Sequence, residues 1–179
     1  MTAAAVRIDG ARLLASLQAL GRIGALEGGG VCRLALTDAD RAGREWTLAR
    51  MRELGMQVSV DAIGNGIGVY PGEIDAPPVM MGSHIDTVRT GGLYDGNCGV
   101  LAGLEVVAAL RAAGVRTKRP LAVAFFTNEE GARFQPDMLG SLVFVGGLPL
   151  DAALATRAID GAVLGDELKR IGARGSAAV

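Results

Sequence analysis

The sequence has little of what several functional classes require. Its 179 residues include 18 basic and 19 acidic side chains, with a formal net charge of −1, and the basic residues are scattered along the chain. Because nucleic-acid binding depends on concentrated positive charge, we expect no nucleic-acid partner. The two cysteines, Cys32 and Cys98, match no paired metal-binding spacing and are too few for a disulfide framework. They predict reduced thiols and a cytoplasmic location.

Long uninterrupted apolar runs are also lacking. The longest apolar stretch, residues 99–115, contains Glu105 and Arg111, so we expect a helix in water rather than a membrane span, and no membrane partner. Residues 1–17 have no basic region before an apolar core and predict no export signal. Half of the residues are hydrophobic, which is enough for a core, and no linker or internal repeat divides the chain. We therefore expect one domain over residues 1–179.

The hydrophobic periodicity predicts alternating helices and strands. Helical patterns cover residues 8–20, 37–55, 95–113, 137–146, 151–158 and 163–171. Strand patterns cover residues 56–61, 66–70, 77–84 and 120–127. The last two strand segments are almost continuously apolar and are separated by a helix, which is typical of a βαβ unit in a parallel sheet buried on both faces. We therefore predict the α/β class, with a mostly parallel sheet flanked by helices.

The only histidine and several acidic residues follow these two apolar strands. His84 and Asp86 come at the end of the first strand, and Glu129 and Glu130 come just after the second. In open α/β sheets, ligands bind at the carboxyl ends of the strands, so we expect these four side chains to converge on one rim. Asp95 is predicted to begin the helix between the strands, where the helix dipole favours its ionised form.

One imidazole and four carboxylates in one crevice indicate a bound cation, because a cation relieves the repulsion between the carboxylates. Mixed nitrogen and oxygen donors suit zinc, with manganese or cobalt as substitutes, and a carboxylate can bridge two such ions. Adjacent Glu129 and Glu130 point in different directions, so one can be a ligand and the other a general base. Asp86 is placed to accept a hydrogen bond from the second ring nitrogen of His84. Three glycines allow the loop to approach the ions closely: Gly91, Gly92 and Gly96.

Each of these residues also has a simpler interpretation. A lone histidine near an aspartate is commonly structural, Asp95 alone could be a helix N-cap, and adjacent glutamates commonly form a solvated surface pair. Their joint placement after the most apolar strands favours a metal site, since surface pairs have no reason to follow such strands. Cys98, on the first helical turn, is predicted to be a small core residue rather than a ligand or nucleophile. The "GNGIG" at 64–68 lacks the spacing of a dinucleotide-binding motif.

Five segments together resemble a known family. They are "RLALTDADRAGREW" (33–46), "VDAIGNGIGVYPG" (60–72), "GSHIDTV" (82–88), "GGLYDGNCGVLAGLEV" (91–106) and "TNEEGARF" (127–134). They are similar to the N-terminal part of the M20 metallopeptidase-like amidases, and most to the hydantoinase/carbamoylase branch. That branch includes N-carbamoyl-L-amino acid hydrolases, ureidopropionases and allantoate amidohydrolases. The resemblance covers nearly the whole chain and implies the N-terminal portion of a di-zinc aminopeptidase-like catalytic domain.

The resemblance implies a role for each candidate residue. His84 binds one metal ion, Asp95 bridges two, Glu130 binds the other, Glu129 is the general base and Asp86 orients His84. Members of the family are homodimers that add a dimerisation domain and two further histidine ligands, none of which this sequence contains. The implied cofactor is a pair of divalent ions, zinc foremost, at a site that is incomplete in this chain.

The resemblance therefore implies a metal-dependent amidohydrolase that cleaves the carbamoyl or ureido C–N bond of a small molecule. Its substrate would be an N-carbamoyl-L-amino acid or a related ureido acid such as allantoate, and we expect the chain to be an inactive N-terminal fragment of that enzyme. Two alternatives stay open. One is a non-catalytic remnant or regulatory fragment with the same fold, and the other is a broader M20-type dipeptidase. Zinc stoichiometry and turnover separate the enzyme from the remnant.

Overall fold

The structure, a computed structural model, describes residues 6–179. Its helices are α1 (Gly10–Gly21), α2 (Asp38–Glu53), α3 (Asn97–Ala112), α4 (Leu139–Phe144), α5 (Leu150–Leu154) and α6 (Leu164–Arg170). Its strands are β1 (Gln57–Val60), β2 (Gly66–Tyr70), β3 (Val79–His84) and β4 (Leu121–Phe126). Every predicted helix and strand is present, with boundaries shifted by a few residues, and the α/β class is confirmed.

The first two helices begin where side-chain caps allow them to begin. The carboxylate of Asp9 accepts a hydrogen bond from the Arg12 N–H at 3.0 Å at the start of α1. The hydroxyl of Thr37 accepts from the Asp40 N–H at 3.3 Å at the start of α2, as predicted. Acidic residues in the first turn of α2 and arginines in its last turn complement the helix dipole.

The four strands form one mixed sheet in the order β1-β2-β4-β3. β3 and β4 are parallel neighbours, as the βαβ pattern predicted, whereas β1–β2 and β2–β4 are antiparallel. The prediction of a mostly parallel sheet is therefore wrong for two of the three pairs. The short connection between β1 and β2 allows antiparallel pairing, and the β3–α3–β4 crossover requires parallel pairing, whereas β2 and β4 are neighbours in the sheet without being consecutive in the chain.

β3 was also predicted to be buried on both faces, and this is wrong. It is an edge strand, in which Val79 is 47% exposed and Met80 is 38% exposed. β4, between β2 and β3, is buried along nearly its whole length. Apolar composition alone did not distinguish the central strand from the edge strand.

The core has two parts. In the first, side chains of α1, α2 and α3 form one cluster with Leu121, Val123 and Phe125 of β4. In the second, α4, α5 and α6 pack around Ile63 and Phe134. Between residues 6 and 179, no helix is long and apolar enough to cross a membrane.

Candidate metal centre

The parallel pair β3 and β4 brings the predicted site residues to one edge of the sheet. His84, the last residue of β3, is in register with Phe126, the last residue of β4. The loop after β3 carries Asp86 and Asp95, and the loop after β4 carries the two glutamates. The predicted convergence of these side chains is confirmed by the contacts that join the two loops.

The His84 ring has a defined orientation. Its Nδ1 lies 2.9 Å from the backbone carbonyl oxygen of Asp86, which can only accept, so Nδ1 carries the proton of this hydrogen bond. The carboxylate of Asp86 is 4.0 Å from Nδ1. The predicted orienting residue is thus in place, but its main-chain carbonyl, not its carboxylate, makes the contact.

The second ring nitrogen faces acidic groups. Nε2 of His84 lies 3.1 Å from Oε2 of Glu129 and 4.0 Å from Oδ1 of Asp95. In the neutral ring whose proton is on Nδ1, Nε2 presents a lone pair to these carboxylates. Several electron-pair donors that meet at one point are stabilised by a cation between them.

Three of the predicted ligands form a compact group. His84, Asp95 and Glu130 each offer a donor atom, and these atoms lie within 4.8 Å of one another. His84 is buried, Glu130 is half-buried and Asp95 is exposed. Among the described residues, the buried Oε1 of Glu130 has no hydrogen-bond partner. A buried oxygen without a partner is costly, so the donor set and this free oxygen fit a divalent cation.

Asp86 is buried beneath this group and joins the two loops. Its carboxylate oxygens accept hydrogen bonds from the backbone N–H groups of Glu129 and Glu130, at 3.3 and 3.4 Å. Burial raises the pKa of Asp86 to about 7, the nearby Asp40 carboxylate adds to the increase, and His84 opposes it. Burial also raises the pKa of Glu130, with a further contribution from Asp95 and Glu129. A cation between these groups would favour their ionised forms.

The loop before α3 differs from its prediction in two respects. Asp95 does not cap the helix, because α3 begins at Asn97 and the preceding residue, Gly96, has a left-handed φ of +62°. A Cβ at Gly96 would overlap Nε2 and Cε1 of His84, so a glycine is needed beside this ring. Cys98 was predicted to be a core residue, but it is exposed, since the first turn of α3 presents it to solvent.

Sequence reasoning missed two asparagines that shape the site. Asn128, directly before the glutamates, has a left-handed φ of +53°. Its side-chain amide donates to the carbonyl oxygens of Phe134 and Pro136, which holds the loop after β4 in place. Asn97 is fully buried at the start of α3. The sequence could have indicated both residues, because each asparagine lies close in the chain to a candidate acidic ligand. Asparagine readily adopts a left-handed backbone conformation and hydrogen-bonds to nearby main-chain groups.

The chain is similar to curated proteins with named activities. The chain is 46% identical over 167 residues to an N-carbamoyl-L-amino-acid amidohydrolase of Rhizobium meliloti, covering 93% of this chain and 40% of that protein. It is 39% identical over 132 residues to a ureidoglycolate hydrolase of Arabidopsis thaliana, covering 73% of this chain and 28% of that protein. The chain thus spans about two fifths or less of the length of these curated relatives.

A solved structure and a family model agree with this result. The crystal structure of a hydantoinase/carbamoylase family amidase from Burkholderia ambifaria matches with a TM-score of 0.94 and 54% identity, over 97% of this chain and 43% of that chain. The model described as "Peptidase family M20/M25/M40" matches residues 80–173, which is more than half of the chain. The chain therefore belongs to peptidase family M20/M25/M40, in its hydantoinase/carbamoylase amidase branch.

Proposed function

We propose that the chain forms one wall of the active site of a metal-dependent amidohydrolase. Its substrate class would be N-carbamoyl-L-amino acids or related ureido acids, in which a carbamoyl C–N bond is hydrolysed. The observation that carries the proposal is the meeting of His84, Asp95 and Glu130 within 4.8 Å, with one oxygen of Glu130 buried and unbonded. The names of the relatives, N-carbamoyl-L-amino-acid amidohydrolase and ureidoglycolate hydrolase, support the substrate class.

The proposed ligands are these three residues, with zinc as the preferred ion and Asp95 as a bridge between two ions. Nitrogen and carboxylate donors suit zinc, but one catalytic zinc ion alone usually takes three protein ligands. Two ions would therefore need donors beyond this group. When bound, such ions polarise the carbonyl that is attacked and stabilise the charge that develops on its oxygen.

Glu129 is the proposed general base. Its Oε2 lies 3.1 Å from Nε2 of His84, one of the proposed ligands, and its side chain is half-buried. It would take a proton from the attacking water as that water adds to the carbamoyl carbon, and would pass the proton to the leaving nitrogen as the C–N bond breaks. The products are the free amine and a carbamic acid, which decomposes to carbon dioxide and ammonia. Asp86 holds the backbone of Glu129 and thereby its carboxylate.

The proposed location is the cytoplasm. Both cysteines are free thiols, with Cys32 half-buried and Cys98 exposed, and exposed thiols persist most readily in a reducing compartment.

A chimera tests the proposed activity. Residues 6–179 replace the matching segment of the Rhizobium meliloti amidohydrolase, of which this chain covers 40%. The parent enzyme is the positive control, and ammonia release from N-carbamoyl-L-amino acids and ureidoglycolate is measured. We expect turnover that falls by about 10²–10⁴ in Glu129→Gln with unchanged metal content, since general base catalysis contributes that much. Glu45→Gln, at an exposed glutamate on α2, is the matched control and should retain activity.

Two outcomes would overturn the proposal. A folded chimera that hydrolyses dipeptides but no carbamoyl or ureido compound would replace the substrate class with a peptidase. A folded chimera that takes up metal as the parent does but turns over nothing would favour a non-catalytic role for this chain.

A further inference from the structure

Arg33, in the short segment between α1 and α2, has a completely buried side chain. Its Nε donates to the carbonyl oxygen of Ile85 at 2.7 Å. Its Nη1 donates to the carbonyl oxygens of Leu20 and Ile23 at the end of α1, at 3.1 and 2.7 Å. Its Nη2 donates to the side-chain oxygen of Asn97 at 2.9 Å. One guanidinium group therefore joins α1, the loop after β3 and the first residue of α3.

Two of these contacts lie beside the candidate metal ligands. Ile85 is the residue between His84 and Asp86, so the Arg33 contact fixes the backbone directly after the histidine. Asn97 lies two residues after Asp95, and its amide also donates to the carbonyl oxygen of Leu93 at 3.2 Å. The bond from Arg33 to Asn97 thus reaches both ends of the short turn that presents Asp95.

The main chain of the same segment is held against the loop after β3. The Arg33 N–H donates to the hydroxyl of Thr87 at 2.8 Å, and the Thr87 N–H donates to the Arg33 carbonyl at 2.9 Å. Val31 and Gly91 exchange both of their backbone hydrogen bonds at 2.9 Å. Arg33 is therefore part of a rigid strip along this loop, and its guanidinium extends from that strip toward α3.

Packing alone does not explain an arginine at this position. Among the described residues, no carboxylate accepts a hydrogen bond from Arg33, and burying a cation without a paired anion is expensive. Space is also reserved for it: a Cβ at Gly43 on α2 would lie 2.8 Å from Cδ of Arg33. A planar group with donors in several fixed directions can hold three segments at once, which an aliphatic side chain cannot do.

We propose that Arg33 is a positioning residue of the metal centre, which sets the separation between the end of β3, where His84 lies, and the turn that carries Asp95. The inference rests on the proposed function in taking these two residues as metal ligands. Arg33 makes no hydrogen bond to the proposed ligands themselves. It acts through the backbone at Ile85 and through the side chain of Asn97.

The test compares three variants of the 179-residue chain. Arg33→Lys keeps the charge but loses the planar set of donors. Asn97→Ala removes the bond from Arg33 to the Asp95 turn, together with the Asn97 bond to the Leu93 carbonyl, and leaves the Arg33 contact with Ile85 in place. Arg12→Lys is the matched control, because Arg12 also connects α1 to α3, through Glu105 at 2.8 Å, but at a point that touches none of the candidate ligands. If any loosening of the α1–α3 contact sufficed, the control would behave like Arg33→Lys.

Two readouts are used at one pH. Cobalt and zinc affinity are measured by calorimetry, and the cobalt absorption spectrum reports the ligand geometry. Backbone hydrogen exchange is measured on peptides that cover residues 82–88 and 92–98. We expect Arg33→Lys to weaken metal binding by about 10–100-fold, the usual effect of losing a group that orients ligands, and to speed exchange in both peptides. Asn97→Ala should speed exchange only in residues 92–98, and Arg12→Lys should change neither readout.

The failures are distinguishable. If the wild-type chain does not bind cobalt, or binds it equally well after His84→Ala, the proposed metal centre is wrong. Hydrogen exchange in Arg33→Lys still decides whether Arg33 holds the two backbone segments in place. If the wild-type chain binds metal and Arg33→Lys binds it equally well with the same cobalt spectrum, the inference is wrong and the proposed function stands. Equal exchange in the wild type and Arg33→Lys would also overturn the inference. If Arg33→Lys does not fold, Asn97→Ala tests the part of the inference that concerns the Asp95 turn, and unchanged cobalt affinity with unchanged exchange in residues 92–98 would overturn it.

Discussion

Replacing Gly96 with alanine should damage the metal centre far more than a typical glycine substitution. Two effects act at this position. The backbone has a φ of +62°, which costs an alanine about 1–2 kcal/mol. The new Cβ would also overlap Nε2 and Cε1 of His84, whose ring is held from the other side by the carbonyl of Asp86.

Two other glycines separate these effects. Gly114, directly after the C-cap of α3, has a φ of +65° but open space around its Cβ position, so Gly114→Ala measures backbone strain alone. Gly92, in the same loop as Gly96, lies outside the left-handed region and also has open space. We expect Gly92→Ala to be neutral or stabilising by about 0.4–1 kcal/mol, through the unfolded state. We expect Gly114→Ala to cost about 1 kcal/mol, because the strain is partly offset by that same entropy term.

Gly96→Ala should lower the free energy of unfolding by about 2–4 kcal/mol more than Gly114→Ala does. Displacing a buried ring costs about 1–3 kcal/mol, and losing the Nδ1 hydrogen bond adds about 1 kcal/mol. The measurement is urea unfolding followed by fluorescence of Trp46, the only tryptophan, which packs against the first core cluster. Zinc titration of the same variants should show a loss of about tenfold or more for Gly96→Ala alone. Equal unfolding midpoints for Gly96→Ala and Gly114→Ala, with unchanged zinc affinity, would refute this reasoning.

Three further predictions follow from the buried groups. Burial raises the pKa of Asp86 to about 7, well above the value of about 4 in the unfolded chain. Between about pH 4 and about pH 7 the folded metal-free chain therefore binds a proton that the unfolded chain has lost, and its free energy of unfolding should fall as the pH rises through this range. The loss should be up to about 4 kcal/mol at 1.36 kcal/mol per pH unit, and urea unfolding with a chelator at several pH values should show it disappear in Asp86→Asn. Zinc titration of this chain should give fewer than two tight sites, because the donor group has only three residues. The zinc affinity should weaken at lower pH as these donors become protonated. Two tight sites would contradict this prediction. Gly43→Ala should destabilise the chain because the new Cβ meets the Arg33 side chain, although alanine is normally about 1 kcal/mol more favourable than glycine in a helix interior. In an Arg33→Ala background the same change should stabilise the chain. Thermal unfolding of the variants measures both effects.

The sequence was informative where a local pattern has a single physical meaning. Thr37 predicted the start of α2 because a hydroxyl three residues before a free N–H caps a helix. The parallel pairing of β3 and β4 was predictable because two strands joined through a helix run in the same direction. That pairing alone placed His84 beside the two glutamates.

Other features depend on partners that local patterns do not reveal. β3 begins with three apolar residues, as a buried strand would, but its edge position depends on where β2 pairs. The cap of α3 lies at Gly96 rather than Asp95 because the His84 ring occupies the space beside the turn. Arg33 is a single charge in an apolar segment, and its partners Ile85 and Asn97 lie 52 and 64 residues away. Its role follows only from the folded chain.

Two of the buried arginines, Arg33 and Arg44, hold the two loops of the site. Arg33 bonds the loop after β3, and Arg44 donates to the hydroxyl of Thr127, the first residue after β4, at 3.2 Å. Arg44 is paired at 2.8 Å with the buried Asp40, whose charge in turn raises the pKa of Asp86. Apolar side chains at such positions often give equal or greater stability, so stability alone does not account for these groups. Because each arginine bonds a loop that carries candidate ligands, the cost of burying them is better explained by the fixed geometry that a metal centre needs.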